Sequence, residues 1–314
     1  MGTIFLTAFI TVLILLAVAC GGYALQRSGM LSESCIPGFS KVLLYVCQPC
    51  LAVYTFSGVE FSLEAVKELL IFAAFIIALF IIILGGAYLV LHKKCVQPIY
   101  RILTIGTTFS NCAFFGIPII EALLPEVASE LLIFTTVFGL IMNVLGWTVG
   151  SAIIARDIRY MSVKKIFLNP ATIGTFIATV IFVFGIPLAP ELLGIIETTG
   201  KMCTPLSMLI IGMRLATVDF RKMFTDVRIY LTIAVKQLLM PLVAFLLVFA
   251  FTSVDLGLRQ TFFITCACPV ASVVLNFAEL VGDGQKEAAN LVLLSTILSV
   301  LTLPLMMLLL PFIR

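Results

Sequence analysis

Hydrophobic positions in this chain come in long blocks, without the spaced stripe of a soluble helix or the alternation of a half-buried strand. The blocks run from Ile4 to Leu25, Gly38 to Ser57, Ala65 to Leu91, Tyr100 to Leu124 and Glu130 to Ala155. After a polar, basic stretch they resume from Pro170 to Pro187, Leu192 to Val218, Val227 to Thr252, Leu258 to Val281 and Ala288 to Phe312. Each is near the roughly 20 residues a helix needs to cross a hydrocarbon layer of about 30 Å. The pattern predicts an all-α polytopic membrane protein of ten transmembrane helices. Residues 1–155 hold the first five, residues 156–169 form a cytoplasmic connector, and residues 170–314 hold the other five. The first block lacks a positive leader, and Cys20 follows Ala-Val-Ala rather than a Leu-led lipoprotein box, so it reads as a retained helix.

Two of the ten blocks are spoiled in the middle. Ser110, Asn111, Gly116 and Pro118 interrupt the fourth, where proline lacks an N–H and clashes with the carbonyl of Phe114. Broken backbone at membrane depth is tolerated where it is buried in protein or lines a polar cavity, and secondary transporters place their substrate at such breaks. A proline-kinked span without chemistry is the alternative. Setting Arg101 on Arg259 aligns Asn111 with Pro269, Pro118 with Asn276 and Glu121 with Glu279, with no gap. The Asn and Pro have exchanged places. Five helices per half, an odd number, put the second half in the membrane upside down, as an inverted repeat requires.

Charge sets the orientation. Loops after odd-numbered helices carry Arg27, then Lys93, Lys94 and Arg101, then Arg156, Arg159, Lys164 and Lys165, then Arg221, Lys222 and Arg228, then Lys286. Those after even-numbered helices offer little beyond Lys67 and Arg259. The positive-inside rule therefore predicts a multi-pass cell-membrane protein with both termini outside.

Composition narrows the class further. The chain is 62% hydrophobic and 11% charged, with a mean hydropathy of +1.23, far from a soluble domain at about 25% charged. A net charge of +3 gives no reason to expect nucleic acid as a partner. Most of the nine cysteines lie inside apolar blocks, where a free thiol behaves as a small hydrophobe. Cys47-Gln-Pro-Cys50 has redox spacing but not the exposed thiolate that chemistry needs. His92 stands beside Lys93 and Lys94 without a second metal ligand, so neither a metal nor another cofactor is expected.

Polar side chains within the blocks are the candidate ligands. Gln48 and Pro49 in the second block pair with Thr204, Pro205 and Ser207 in the seventh, and Asn143 stands in the fifth. Each either repairs the helix or bonds a neighbouring helix, or else contacts a solute. Lys201 and Arg214 can snorkel to the membrane faces, whereas Lys236 lies deeper. No carboxylate pair lies at mid-membrane, which argues against a proton antiporter built on one. Amides, hydroxyls and the positive N-terminal ends of the second half-helices suit an anion, with Pro118 as the first residue of its half-helix.

The segments GYALQRSGMLSESCIPGFSKVLLYVCQPCL, SNCAFFGIPI, LNPATIG, TPLSMLIIGMRLA and CPVASVVLNFAELVGD together resemble the auxin efflux carrier family, which includes plant PIN carriers and bacterial permeases for malate, malonate and similar acids. The resemblance covers essentially the whole chain, and Asn111 to Pro118 is its most specific part. It implies a fold similar to bile-acid symporters, with a scaffold and a transport domain, helices four and nine crossing at their prolines, and an elevator-like shift. Asn111, Pro118, Pro269 and Asn276 would form the crossover site. The connector departs from the plant carriers in lacking their long cytoplasmic loop, which points to a microbial permease.

The function expected is secondary transport of a small organic anion across the lipid bilayer. A coupling ion, sodium or proton, and a homodimer are left open. A transporter-like sensor is the rival reading, but it ordinarily carries a signalling domain, for which ten spans in 314 residues leave no room. An intramembrane enzyme lacks a His-Asp, Ser-Lys or metal-ligand set, and ATP coupling lacks a phosphate-binding loop.

Overall fold

The computed structural model describes residues 2–218 and 223–313; Arg221 and Lys222, counted above among the basic loop residues, lie outside that range. Every named element among the described residues is helical. Six helices are long and apolar enough to span a bilayer. Five of them are α1 (Gly2–Arg27), α2 (Glu33–Ser57), α3 (Leu63–Lys94), α6 (Ala128–Ala155) and α10 (Val227–Ala250), and the sixth is α13 (Gln285–Met307). The four other predicted blocks are shorter or interrupted. They form α4 (Pro98–Gly106) with α5 (Gly116–Leu123), α7 (Pro170–Val183), α8 (Pro190–Lys201) with α9 (Cys203–Leu215), and α11 (Leu256–Ala267) with α12 (Val273–Val281).

Block ends follow local chemistry. Ser62 caps α3 by accepting from the Ala65 N–H, Asn169 caps α7 through Ala171, and Asp255 caps α11 through Leu258. The second block starts earlier than its apolar run suggested, because Glu33–Cys35 adds a 3-10 turn and Pro37 suits the first helical turn. The seventh block, read as one span, is interrupted at Met202, between α8 and α9, three residues ahead of Pro205. Two prolines within spans follow a widened π turn, Leu43–Cys47 ahead of Pro49 and Val235–Leu239 ahead of Pro241, whereas Pro304 stands inside α13 without one. A third π turn, Gly146–Gly150, has no proline to serve. Such turns are frequent at functional sites, and these three lie next to Gln48, hold Lys236 and Gln237, and hold Trp147.

Between helices in a membrane, packing rests on van der Waals contact and on small residues that let backbones approach. α1 packs chiefly on α9, and α2 on α7 and α8. A Cβ on Gly22 would meet the Leu209 carbonyl at 2.1 Å, and one on Gly174 would meet the Pro49 Cα at 2.5 Å. Elsewhere Gly106 seats Leu291, and Gly146 seats the Phe277 ring. The rings of Phe72, Phe75, Phe134 and Phe262 fill the centre beside α3, α6 and α11.

Candidate functional site

The two interrupted blocks cross. Ser110 and Val270 form an antiparallel bridge, with the Asn111 N–H donating to the Pro269 carbonyl at 2.8 Å and the Ala271 N–H to the Phe109 carbonyl at 2.9 Å. Breaking a helix in an apolar medium leaves backbone groups that must find partners. Here each break supplies partners for the other. The remaining carbonyls are met by side chains: Ser110 Oγ donates to Thr265, and the Lys236 ammonium donates to both Cys266 and Cys268 at 2.8 Å. Val270 N–H donates to Ser295 Oγ at 3.1 Å, and Gln237 Nε2 donates to the Ser295 carbonyl at 2.7 Å, so α10 and α13 brace the second break.

Beside the crossing lies a cavity of about 740 Å³. Its walls take Gln48 from α2, Ser110 and Asn111 from the first break, Asn143 and Trp147 from α6, and Ser272 and Asn276 from the second break and α12. The residues just ahead of α5 (Cys112, Ala113, Phe114) and the start of α12 (Ser272, Val273) also face it. The start of α12 thus turns the positive end of its dipole to the cavity, and the chain leading into α5 borders it from the other break. Three buried side-chain atoms on this wall have no protein partner: Asn111 Nδ2, Gln48 Oε1 and Trp147 Nε1. Asn111 is only 5% exposed, and burying an amide without a partner is costly enough to mark a place where a ligand completes the set.

The sequence-derived candidates divide. Gln48, Asn111, Asn143 and Asn276 share the cavity. Asn143 also does the bland job, donating to Thr172 Oγ1 at 2.8 Å and accepting from Asn169 Nδ2 at 3.2 Å. Pro269 acts through its carbonyl and is buried. Pro118 is the third residue of α5, which starts at Gly116, and not the first as expected; it stands outside the cavity wall. Ser207 lines a smaller void of about 50 Å³ that Asn276 also reaches, whereas Thr204 lines neither. Lys236, the deeper of the three cations within the blocks, sits behind the crossing and is fully buried. Arg214 does not simply snorkel: it pairs with Glu279 at 2.8 Å on the cavity rim.

Trp147 escaped the sequence reading as a ligand, although it is the chain's one tryptophan and is flanked by small Gly146 and Gly150. Its ring meets Phe277 edge-on at 5.0 Å, and Lys165 Nζ lies 5.2 Å above it. At the basic end of the cavity, Lys41, Lys165 and Arg214 face Glu33 and Glu279.

Comparison with known proteins bears on this arrangement at the level of family. Among curated proteins none matches the chain. The family described as membrane transport protein matches over residues 7–307, both broken segments included. A match of that extent places the chain in the family of auxin efflux carriers and PIN-like membrane transporters.

Proposed function

We propose that this protein is a secondary carrier for a small organic anion, a mono- or dicarboxylate, held where the two broken helices cross. The observation that carries the reading is the unpartnered, nearly buried Asn111 amide, beside the positive end of α12 in a cavity large enough for such a solute. A carboxylate would accept from the Asn111 amide and lie near the positive end of α12, at Ser272 and Val273, with Asn276 as the counterpart of Asn111 from the second half. Pro118 and Pro269 shape the breaks, while Gln48 and Asn143 complete the wall. Ser207 and Thr204 serve the packing of α9 in this reading.

The exchanged Asn and Pro of the two breaks support a pair of inverted five-helix repeats, residues 1–155 and 170–314. α1, α2, α7, α8 and α9 would form the scaffold, and the remaining helices the moving group, since the cavity runs between these sets. By the positive-inside rule the rim of Lys41, Lys165 and Arg214 is cytoplasmic, so the cavity faces inward. The opposite end is shut by a 2.7 Å hydrogen bond between the Thr55 and Thr136 hydroxyls and by Gly58 packed on the Ser129 carbonyl. An elevator-type shift of the moving group would carry the crossing past that closure.

Two measurements test this. Reporters fused at both termini should read outside, and one within the Arg156–Lys165 connector should read cytoplasm; a cytoplasmic C-terminus would remove the inverted arrangement. In proteoliposomes loaded with labelled mono- or dicarboxylates, efflux should accelerate when the interior is made negative, because one charge moving through 100 mV gains about 2.3 kcal/mol. Voltage-independent flux with no exchanged or coupled ion would mean that the solute crosses neutral. Binding without flux would favour the sensor reading.

A further inference from the structure

A buried hydroxyl on a helix ordinarily donates to a carbonyl one turn back, and Thr135, Thr175, Thr232 and Ser299 all do so here. Ser207 does not. It stands inside α9 at 3% exposure, and its side chain has no hydrogen-bond partner among the described residues. The carrier reading leaves Ser207 to packing, yet packing gains nothing from a hydroxyl whose burial without a partner is costly. Its oxygen opens onto the void of about 50 Å³ between α2, α9, α12 and α13.

At about 10–15 Å³ for each water, the void has room for about three or four waters, or for the three heavy atoms of a carboxylate. Its chemistry suits an anion. The hydroxyls of Ser40, Ser207 and Ser272 and the amide of Asn276 line it, with Arg214 the one charged residue on its wall among the described residues. Glu279 takes one Arg214 N–H at 2.8 Å, but it borders the main cavity and not the void. Ser272 immediately precedes α12, whose positive end no side chain caps. Ser40, Arg214, Ser272 and Asn276 border both spaces, so a solute held at Asn111 can extend one end past them. We propose that the void is a second anion subsite and that the solute is a dicarboxylate, one carboxylate held at Asn111 and the other by Ser207 Oγ and Arg214. The identity of the solute rests on the carrier reading above; the anion subsite does not. The void then sets specificity, because a mono-acid of the same length would press a methyl group against hydroxyls and a guanidinium and leave them unpaired.

Two variants test the assignment. Ser207→Ala removes the hydroxyl and, with no protein partner to lose, should melt with the wild type; Ser207→Val also fills part of the void. Formate is a free carboxylate of the void's size. On an Asn111→Ala background, which removes the donor at the other subsite, sodium formate should still raise the unfolding midpoint, and adding Ser207→Val should abolish the rise. If valine is not accommodated, Ser207→Ala replaces it and should at least halve the rise. A rise that survives the Ser207 substitution, or none in Asn111→Ala itself, overturns the subsite. Calorimetric affinities are then compared for succinate and butyrate, which differ at one end only. The preference for succinate should fall at least about tenfold in Ser207→Ala, the loss expected of one hydrogen bond to a charged group. A smaller fall, a wild-type protein that prefers butyrate, or no binding of either acid overturns the dicarboxylate assignment. Succinate binding without succinate flux in proteoliposomes would count against the carrier reading and leave the subsite standing.

Discussion

Asn111→Ala is expected to abolish most transport while leaving the protein as stable as before, or slightly more so. The Asn111 side-chain N–H donors have no protein partner, so their removal breaks no contact and relieves an unsatisfied buried group. The interaction that holds the crossing together, Asn111 N–H to the Pro269 carbonyl, is made by the main chain and survives the substitution. What is lost is a hydrogen bond to a charged ligand, about 1.5–3 kcal/mol, or roughly a 10- to 100-fold loss of affinity. Asn276→Ala should act in the same direction, since that side chain lines the cavity as the fourth residue of α12, at the end of its first turn. The check is paired: thermal unfolding midpoint and initial rate of carboxylate flux on the same purified variants. Wild-type flux in both variants would remove the site. A large fall in midpoint for Asn111→Ala would show that the amide is structural.

The largest effect on folding should come from Gly212→Ala, at the crossing of α1 and α9. A Cβ there would lie 1.8 Å from the Ala19 carbonyl oxygen, with backbone on the other side of the contact, so no rotamer change can relieve it. Overpacking ordinarily costs about 1–3 kcal/mol, and a clash of backbone against Cβ belongs at or above the upper end. Gly22→Ala approaches the same crossing from the partner helix, at 2.1 Å from the Leu209 carbonyl. Gly21→Ala supplies the control, because its Cβ would sit 3.8 Å from the Leu209 side chain, an ordinary contact. Unfolding midpoints should rank the control with the wild-type protein and the other two well below it. A Gly212→Ala protein that melts with the wild type would mean that the two helices are not this close.

Much of the lining of the candidate site was legible in the sequence because a bilayer imposes simple rules. Asn111 and Asn276 stood out as amides in apolar blocks beside helix breakers, and both reach the cavity. Gln48 and Asn143, singled out for the same reason, also line it. Thr204, read as a small polar residue beside Pro205, borders neither cavity, and the helix is interrupted at Met202, just upstream. Trp147 was missed because an aromatic residue in an apolar block looks like lipid-facing or core surface. Only its position in a π turn, with an unpartnered indole N–H, sets it apart.

By itself the chain determined its class, its apolar blocks, the two breaks and the distribution of basic residues between loops. These depend on local quantities: hydropathy summed over about 20 residues, the missing proline N–H, and charge beside a membrane face. Tertiary structure alone decided that the breaks meet backbone to backbone, that Lys236 reaches them from a helix remote in sequence, and that Arg101 spans the halves to Asp283 at 2.6 Å. The physical reason is that a freed backbone group in an apolar medium must be satisfied, but any donor or acceptor of suitable reach will serve. A sequence shows that the debt exists; only the packed helices show which side chain or strand of backbone settles it.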